Sequence, residues 1–349
     1  MLCVLITLAA TAAGAPAYKP ADGPYAVRTV EEMTIQDEQR NKDLTARVHY
    51  PEGDGPFPVI VFSHGFGVGT AAFAPVSRHW ASHGYVTIHP RHEDAGALRR
   101  EQVRREGSGG EATPGEAAAD RPDPALLASR RQRLRERLRR GGFEGGGPAG
   151  VNLAERVRDV TAVLDALDQV EVKVPDLKDK LDRERIGISG HSYGACVTML
   201  VGGATVGTGG GARTFADPRV RCILPFSAAG TGEYGLTKGS WEKAGLPALF
   251  VTGTRDVRPG HEPSWRREPF ELSPPGDKYL LVIKGATHFH FGGGPAGTEA
   301  GRYEALVKTA SIAFWDAHLK RSGEAKAFLQ PDGGGFVRYA GDRAELSAK

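Results

Sequence analysis

Cysteine is nearly missing from this chain, with three residues in 349, at Cys3, Cys196 and Cys222. No spacing among them suggests a metal site. Cys196 and Cys222 fall in expected core elements, where buried thiols serve as packing residues, although an exported protein could bridge them. Charge of one sign is also in short supply. The formal net charge is +3, too small to imply a nucleic-acid partner. Long apolar runs are lacking too: Leu2–Ala10 is the apolar stretch at the start, and a membrane span needs about 20 residues. That run precedes Ala15-Pro16-Ala17, which fits a signal-peptidase site. Residues 1–17, Cys3 included, are therefore expected to be a signal peptide, and the protein secreted or periplasmic. No Lys or Arg precedes the run, and the alternative is a buried first helix or strand.

The composition, 40% hydrophobic and 25% charged, is that of a soluble globular protein. Residues 18–349 are read as a single α/β domain. Residues 25–50 alternate as paired strands do, and Pro58–Ser63 (PVIVFS) is a continuous apolar run typical of a strand buried on both faces. Helical spacing covers 71–83, a strand covers 85–89, and 153–170 forms an amphipathic helix with Leu153, Val157, Val160, Leu164 and Leu167 in one stripe. Strands at 186–189, 221–226, 248–252 and 279–283 follow, with helices from Tyr193 to Val201 and over 302–319. Alternating strands and helices imply crossovers, and so a mostly parallel central sheet with helices on both faces. Residues 98–148, rich in Gly, Pro, Arg and Glu, interrupt this order, and Ala125–Arg140 reads as a basic helix. A lid, or a surface making weak contact with anionic lipid or polymer, is the functional reading. The plainer reading, a solvated insertion without a partner, is favoured.

Directly behind the 186–189 strand and before a helix stands Gly190-His191-Ser192-Tyr193-Gly194. This is the context of a nucleophile elbow, a strained strand-to-helix turn that lifts a serine hydroxyl clear of the sheet. Glycines two residues either side remove the Cβ atoms that would clash, and the helix start lends its positive end. A serine hydroxyl needs a base. The chain order expected for this fold is Ser, then Asp or Glu, then His, which selects Asp256 after strand 248–252 and His288 after strand 279–283. Both lie on the carboxyl edge of the sheet, where ligands bind in open α/β folds. His288 would take the Ser192 proton and Asp256 would orient His288. The oxyanion donors expected are the backbone amides of Tyr193 and of Phe66, within the glycine-rich exit Ser63-His64-Gly65-Phe66-Gly67.

Rival residues stand close by. His290 would point to the same side as His288 if its strand continued, but the loop is expected to begin at Gly285. Glu233 could replace Asp256. His89, His92 and Glu93 resemble a metal cluster but lack a fourth ligand of fitting spacing, so a satisfied polar loop is expected and no metal. His49, His79, His83 and His318 read as structural or solvated. Trp265 and Phe270 could equally wall a pocket or cover the core.

The runs VIVFSHGFG, GHSYGA, ALFVTGTRD and KYLLVIKGATHF resemble the bacterial dienelactone-hydrolase-related esterases, the secreted platelet-activating-factor acetylhydrolases and the cutinase-like polyester hydrolases. The resemblance covers roughly residues 25–330 apart from the insertion. It implies the α/β-hydrolase fold, no cofactor, and hydrolysis of a carboxylic ester (short-acyl, lipid or polyester) through an acyl-enzyme on Ser192. By the same match Asp256 and His288 complete the triad, with Phe66 and Tyr193 as oxyanion donors. The chain departs from the acetylhydrolases in its acid, which in those proteins follows the preceding strand; here that loop, SAAGTGEYG, has no Asp. It departs from dienelactone hydrolases in having Ser where they have Cys. Two other readings keep the same residues: acyl transfer or peptide cleavage by the triad, and a binding protein on a hydrolase scaffold. The residues leave the oligomeric state open.

Overall fold

The computed structural model describes residues 18–96, 152–208, 211–294 and 297–349. The expected signal peptide, with Cys3, and the expected insertion with its basic helix lie outside the described residues. Within them, the buried apolar runs become strands and the amphipathic segments become the helices that cover them. The chain opens with β1 (Val27–Asp37) and β2 (Lys42–Pro51), an antiparallel pair. Then come β3 (Phe57–Ser63), α1 (Ala74–Ser82) and β4 (Val86–Pro90). From residue 152 onward follow α2 (Leu153–Asp165), α3 (Leu167–Lys173), β5 (Leu181–His191) and α4 (Tyr193–Val201). The remainder is β6 (Thr205–Thr208), β7 (Gly211–Thr214), β8 (Val220–Phe226), β9 (Ala248–Arg255), α5 (Glu268–Leu272), β10 (Lys278–Thr287), α6 (Glu299–His318), α7 (Gly323–Phe328), α8 (Gly335–Ala340) and β11 (Ala344–Ala348).

Nine of these strands form one sheet in the order β1-β2-β4-β3-β5-β8-β9-β10-β11. The six strands from β4 to β10 run parallel, and antiparallel partners close both edges. This is the α/β-hydrolase fold, as expected from the sequence. From β3 the chain steps outward to β4, then returns to place β5 on the other side of β3. The strand order therefore reverses between β3 and β5, and that switch point leaves a crevice beyond their carboxyl ends.

Side chains alternate across β3, so its two faces feed two cores. Val59 and Val61 join α2 and α4 in one, through Val157, Val160, Val197 and Leu200. Ile60 and Phe62 join α1 and α6 in the other, through Trp80, Phe314 and Trp315. Cys196 and Cys222 are buried and unbridged, one on α4 and one on β8; burial pushes the Cys196 thiol up to about 11. Gly187 makes room on β5 for Trp315, whose ring atoms would lie 2.6 Å from an added Cβ.

Several boundaries differ from the sequence reading. The helix expected over 153–170 breaks at Ala166 (φ −105°, ψ 23°) into α2 and α3. Helix α1 starts at Ala74 rather than 71, because Phe73 takes a left-handed φ of 61° that no helix continues through. Strand β10 runs on to Thr287, past the Gly285 where its loop was expected to begin. The β6–β7 hairpin and the edge strand β11 were not expected at all.

Candidate active site

Strand β5 ends at His191 and helix α4 begins at Tyr193, which leaves one residue to make the turn. Ser192 does so at φ 57° and ψ −112°, a backbone conformation that costs a non-glycine residue strain energy. Close approach of the neighbouring chain explains the flanking glycines. A Cβ on Gly194 would sit 2.0 Å from the Ser63 carbonyl oxygen, and one on Gly190 would sit 2.5 Å from the Gly194 carbonyl oxygen. The Ser192 N–H donates to the Phe226 carbonyl at the end of β8 (2.9 Å), fixing the turn to the sheet.

Asp256 is the first residue beyond β9, and His288 the first beyond β10. Their placement at adjacent strand ends brings them together with Ser192. His288 Nε2 lies 2.9 Å from Ser192 Oγ, and His288 Nδ1 lies 3.0 Å from Asp256 Oδ1. Asp256 is fully buried, while Ser192 and His288 are partly exposed. Thr252 Oγ1 donates to the other Asp256 oxygen (3.0 Å). Burial alone would raise the Asp256 carboxyl, but the His288 hydrogen bond and the Arg266 charge outweigh it and hold the carboxyl well below the usual range. Asp256 is thus an anion, and the charge-assisted bond takes the proton of His288 Nδ1. The Nε2 lone pair is left facing the Ser192 hydroxyl, the arrangement a general base requires.

Two side chains beside this array carried no signal in the sequence. Arg266, buried in the turn before α5, places Nη1 on the carbonyls of Ser227 and Ala228 (2.7 and 3.0 Å). Its Nε lies 3.3 Å from Asp256 Oδ1 and its Nη2 3.2 Å from His288 Nδ1. His191 donates from Nε2 to the His288 carbonyl (2.7 Å) and packs its ring on that of His288 at 4.7 Å. Burial, with the nearby His288, pushes His191 down to about 3, so it is a neutral spacer behind the His288 ring.

Phe66 stands in the loop after β3, with its ring edge-on to Tyr193 at 6.3 Å. The Phe66 N–H forms no hydrogen bond among the described residues. Beneath this loop lies a buried ionic network. Asp94 accepts the Gly67 N–H (2.6 Å) and pairs with the Arg156 guanidinium (2.6–3.0 Å). His92 bridges Ser63 Oγ and Asp159, each at 2.9 Å. Lys42 and Arg40 also bind Asp159, each at 2.9 Å. Burial pushes His92 down to about 4. Burial would raise Asp159, but its bond from His92 and the Lys42 charge bring it to about 2.

The rival residues go elsewhere. His290 Nδ1 accepts the Thr287 N–H (3.2 Å) and its ring packs on Tyr303, because the chain turns at His288 instead of continuing as strand. Glu233 pairs with Arg258 (2.8 Å) and His261 (3.4 Å). Trp265 is buried, donating its indole N–H to the Thr231 carbonyl, and Phe270 packs against the core edge-on to Phe250. His89 binds Ser77 Oγ (2.9 Å) under the Phe62 ring, and Glu93 is exposed. No group of three or more His, Cys, Asp or Glu fit to hold a metal occurs among the described residues. His49 faces Thr29, His79 faces Asp22, His83 faces the Ala21 carbonyl, and His318 packs on Phe314 and Tyr279.

The family model "Platelet-activating factor acetylhydrolase, isoform II" matches residues 41–254, a span that includes Phe66, Ser192 and Tyr193 and stops just short of Asp256. Among curated proteins, platelet-activating factor acetylhydrolase of Canis lupus familiaris is 23% identical over 237 residues, and that of Bos taurus 25% identical over 245. Each match covers 67% of this chain and 48% of the relative. The chain thus spans about half the length of the curated relatives it matches.

Proposed function

The chain belongs to the platelet-activating factor acetylhydrolase isoform II family, and on that premise we propose that it hydrolyses carboxylic esters through an acyl-enzyme on Ser192. The observation that carries this reading is the chain of contacts from Ser192 Oγ through His288 to the buried, ionised Asp256. His288 draws the proton from Ser192 as the hydroxyl attacks the ester carbonyl, and Asp256 stabilises the imidazolium that forms. The tetrahedral oxyanion takes the amides of Phe66 and Tyr193. His288 then returns the proton to the leaving alcohol, and water hydrolyses the acyl-enzyme by the same steps in reverse order.

The relatives' names describe them as acetylhydrolases, which supports a short acyl group on a lipid ester as the substrate class. A panel of p-nitrophenyl esters of rising chain length tests it, with the acetyl or butyryl ester expected to turn over fastest. Maximal turnover on long-chain esters would contradict the short-acyl assignment, and transfer to an added alcohol in preference to release of free acid would favour an acyltransferase. Among the described residues no helix is long and apolar enough to cross a membrane. The Leu2–Ala10 run with Ala15-Pro16-Ala17 behind it supports export, with cleavage before Tyr18 as the result that N-terminal sequencing of the exported protein reads.

A further inference from the structure

A peptide group has two ends, and fixing one fixes the other. In a trans peptide the carbonyl and the N–H point in opposite directions. The only cis bond among the described residues is Gly55–Pro56, so the peptides of the Phe66 loop are trans. The Phe66 N–H shares its plane with the Gly65 carbonyl, and that carbonyl is held from behind. It accepts from His64 Nδ1 (2.8 Å), Arg156 Nη2 (3.4 Å) and the Val68 N–H (3.4 Å). His64 Nε2 in turn accepts the His92 N–H (3.3 Å), which requires the proton to sit on Nδ1. Arg156 Nη1 also holds the His64 carbonyl at 2.5 Å.

On the other side of Phe66, the Gly67 N–H donates to Asp94 Oδ2 at 2.6 Å, and Asp94 is gripped by the same guanidinium. Both peptides flanking Phe66 are therefore oriented by one buried ion pair, whose side chains are each 1% exposed. Arg156 touches the second donor residue as well, because its Cζ lies 4.8 Å from the Tyr193 ring centre, face-on. Its first-turn position on α2, beyond the insertion, brings it there from a distant part of the chain.

We propose that Arg156, acting through Asp94 and the carbonyls of His64 and Gly65, is the positioning residue that aims the Phe66 amide into the oxyanion hole. It touches no substrate. A burial cost this large for a cation is offset by the carboxylate and the carbonyls, and five donors in a rigid fork suit that set of acceptors in a way that an ammonium does not. Lysine at this position keeps the charge against Asp94 but cannot hold both carbonyls and both carboxylate oxygens. Losing an oxyanion donor outright costs roughly 10²–10³ in kcat. Tilting one is expected to cost about 10–100-fold, in kcat rather than KM, since the ground-state carbonyl demands less of the amide than the oxyanion does.

The inference rests on the catalytic reading of Ser192, and the experiment separates the two. Active sites of the full chain, of Arg156→Lys and of Asp94→Asn are titrated to completion with a fluorophosphonate. Then kcat and KM for p-nitrophenyl acetate are measured per titrated site, with the affinity for a trifluoromethyl ketone, which forms a tetrahedral oxyanion adduct. Arg156→Lys is expected to lose about 10–100-fold in kcat at nearly unchanged KM, with ketone affinity falling by a similar factor and the pH midpoint of kcat unmoved. A folded Arg156→Lys with native kcat and native ketone affinity overturns the proposal, as does a loss confined to KM. If Arg156→Lys does not fold, Asp94→Asn decides by the same criteria. A native chain that takes up no fluorophosphonate overturns the reading of Ser192 instead.

Discussion

At the scale of single residues, the proposed chemistry separates neighbours that composition treats alike. Ser192→Ala is expected to lower ester hydrolysis by roughly 10⁴–10⁶-fold, as loss of a triad member does. His288→Ala should be about as damaging, whereas His290→Ala should be mild, because the His290 ring lies on Tyr303 and contacts neither Ser192 nor Asp256. Steady-state rates on p-nitrophenyl acetate check the ranking, and a His290→Ala loss exceeding that of His288→Ala would contradict it. Ser192 was legible because a glycine-flanked serine between a strand and a helix is a local pattern. His288 was legible because it follows a strand, even though β10 ends at Thr287, four residues beyond the expected Ile283. Arg266 was not. It is one of two adjacent arginines, ten residues from Asp256, and only the folding back of its turn onto the strand ends brings its guanidinium to the acid. Arg156 was hidden for a related reason: it sits at the margin of the apolar stripe of its helix, three residues after Leu153 and four before Val160, where a charged residue reads as solvated.

At the scale of elements, the strands read most easily were those buried on both faces. β3 appears as a nearly continuous apolar run, and β8 and β9 carry the apolar stretches Cys222–Phe226 and Ala248–Val251, since each is covered above and below the sheet. The edge strand β11 (AELSA) has one neighbour and half-exposed side chains, so no run marks it. The β6 and β7 strands are four residues each, too short for periodicity to register. Nothing in the side chains around Ala166 explains the break between α2 and α3. The packing of α6 on β5 depends on Gly187, and Gly187→Ala would force its Cβ to 2.6 Å from the Trp315 ring. A loss of about 1–3 kcal/mol in stability is expected from such overpacking, read as a lower denaturation midpoint at unchanged slope. An unchanged midpoint would mean that α6 can shift away from the sheet at little cost.

At the scale of the whole molecule, the buried histidines couple stability to pH. Burial first, with nearby positive charges on Arg47 and Arg78 for His49 and on Arg156 for His92, pushes His49, His92 and His318 each down to about 4 from an ordinary 6.5. The unfolded chain takes up these protons near pH 6.5 and the folded chain only near 4. Stability is therefore full above about pH 6.5 and falls as pH drops from there to about 4. Urea midpoints at pH 7.5 and pH 5 check this, and equal midpoints would contradict it. Over the same interval, Asp159 at about 2 stays ionised and its ion pairs persist, so the histidines account for the loss.

Among the described residues two arrays of Ser, His and Asp stand out, and they differ in exposure. Ser63, His92 and Asp159 are almost wholly buried, whereas Ser192 is partly open beside a fully buried acid. Nucleophilic chemistry is assigned to Ser192 alone. The direct measurement is reaction with a fluorophosphonate followed by peptide mapping of the adduct. The account predicts one adduct per chain, on Ser192, abolished in Ser192→Ala and slowed severely in His288→Ala. An adduct on Ser63, or none on the folded native chain, would contradict it.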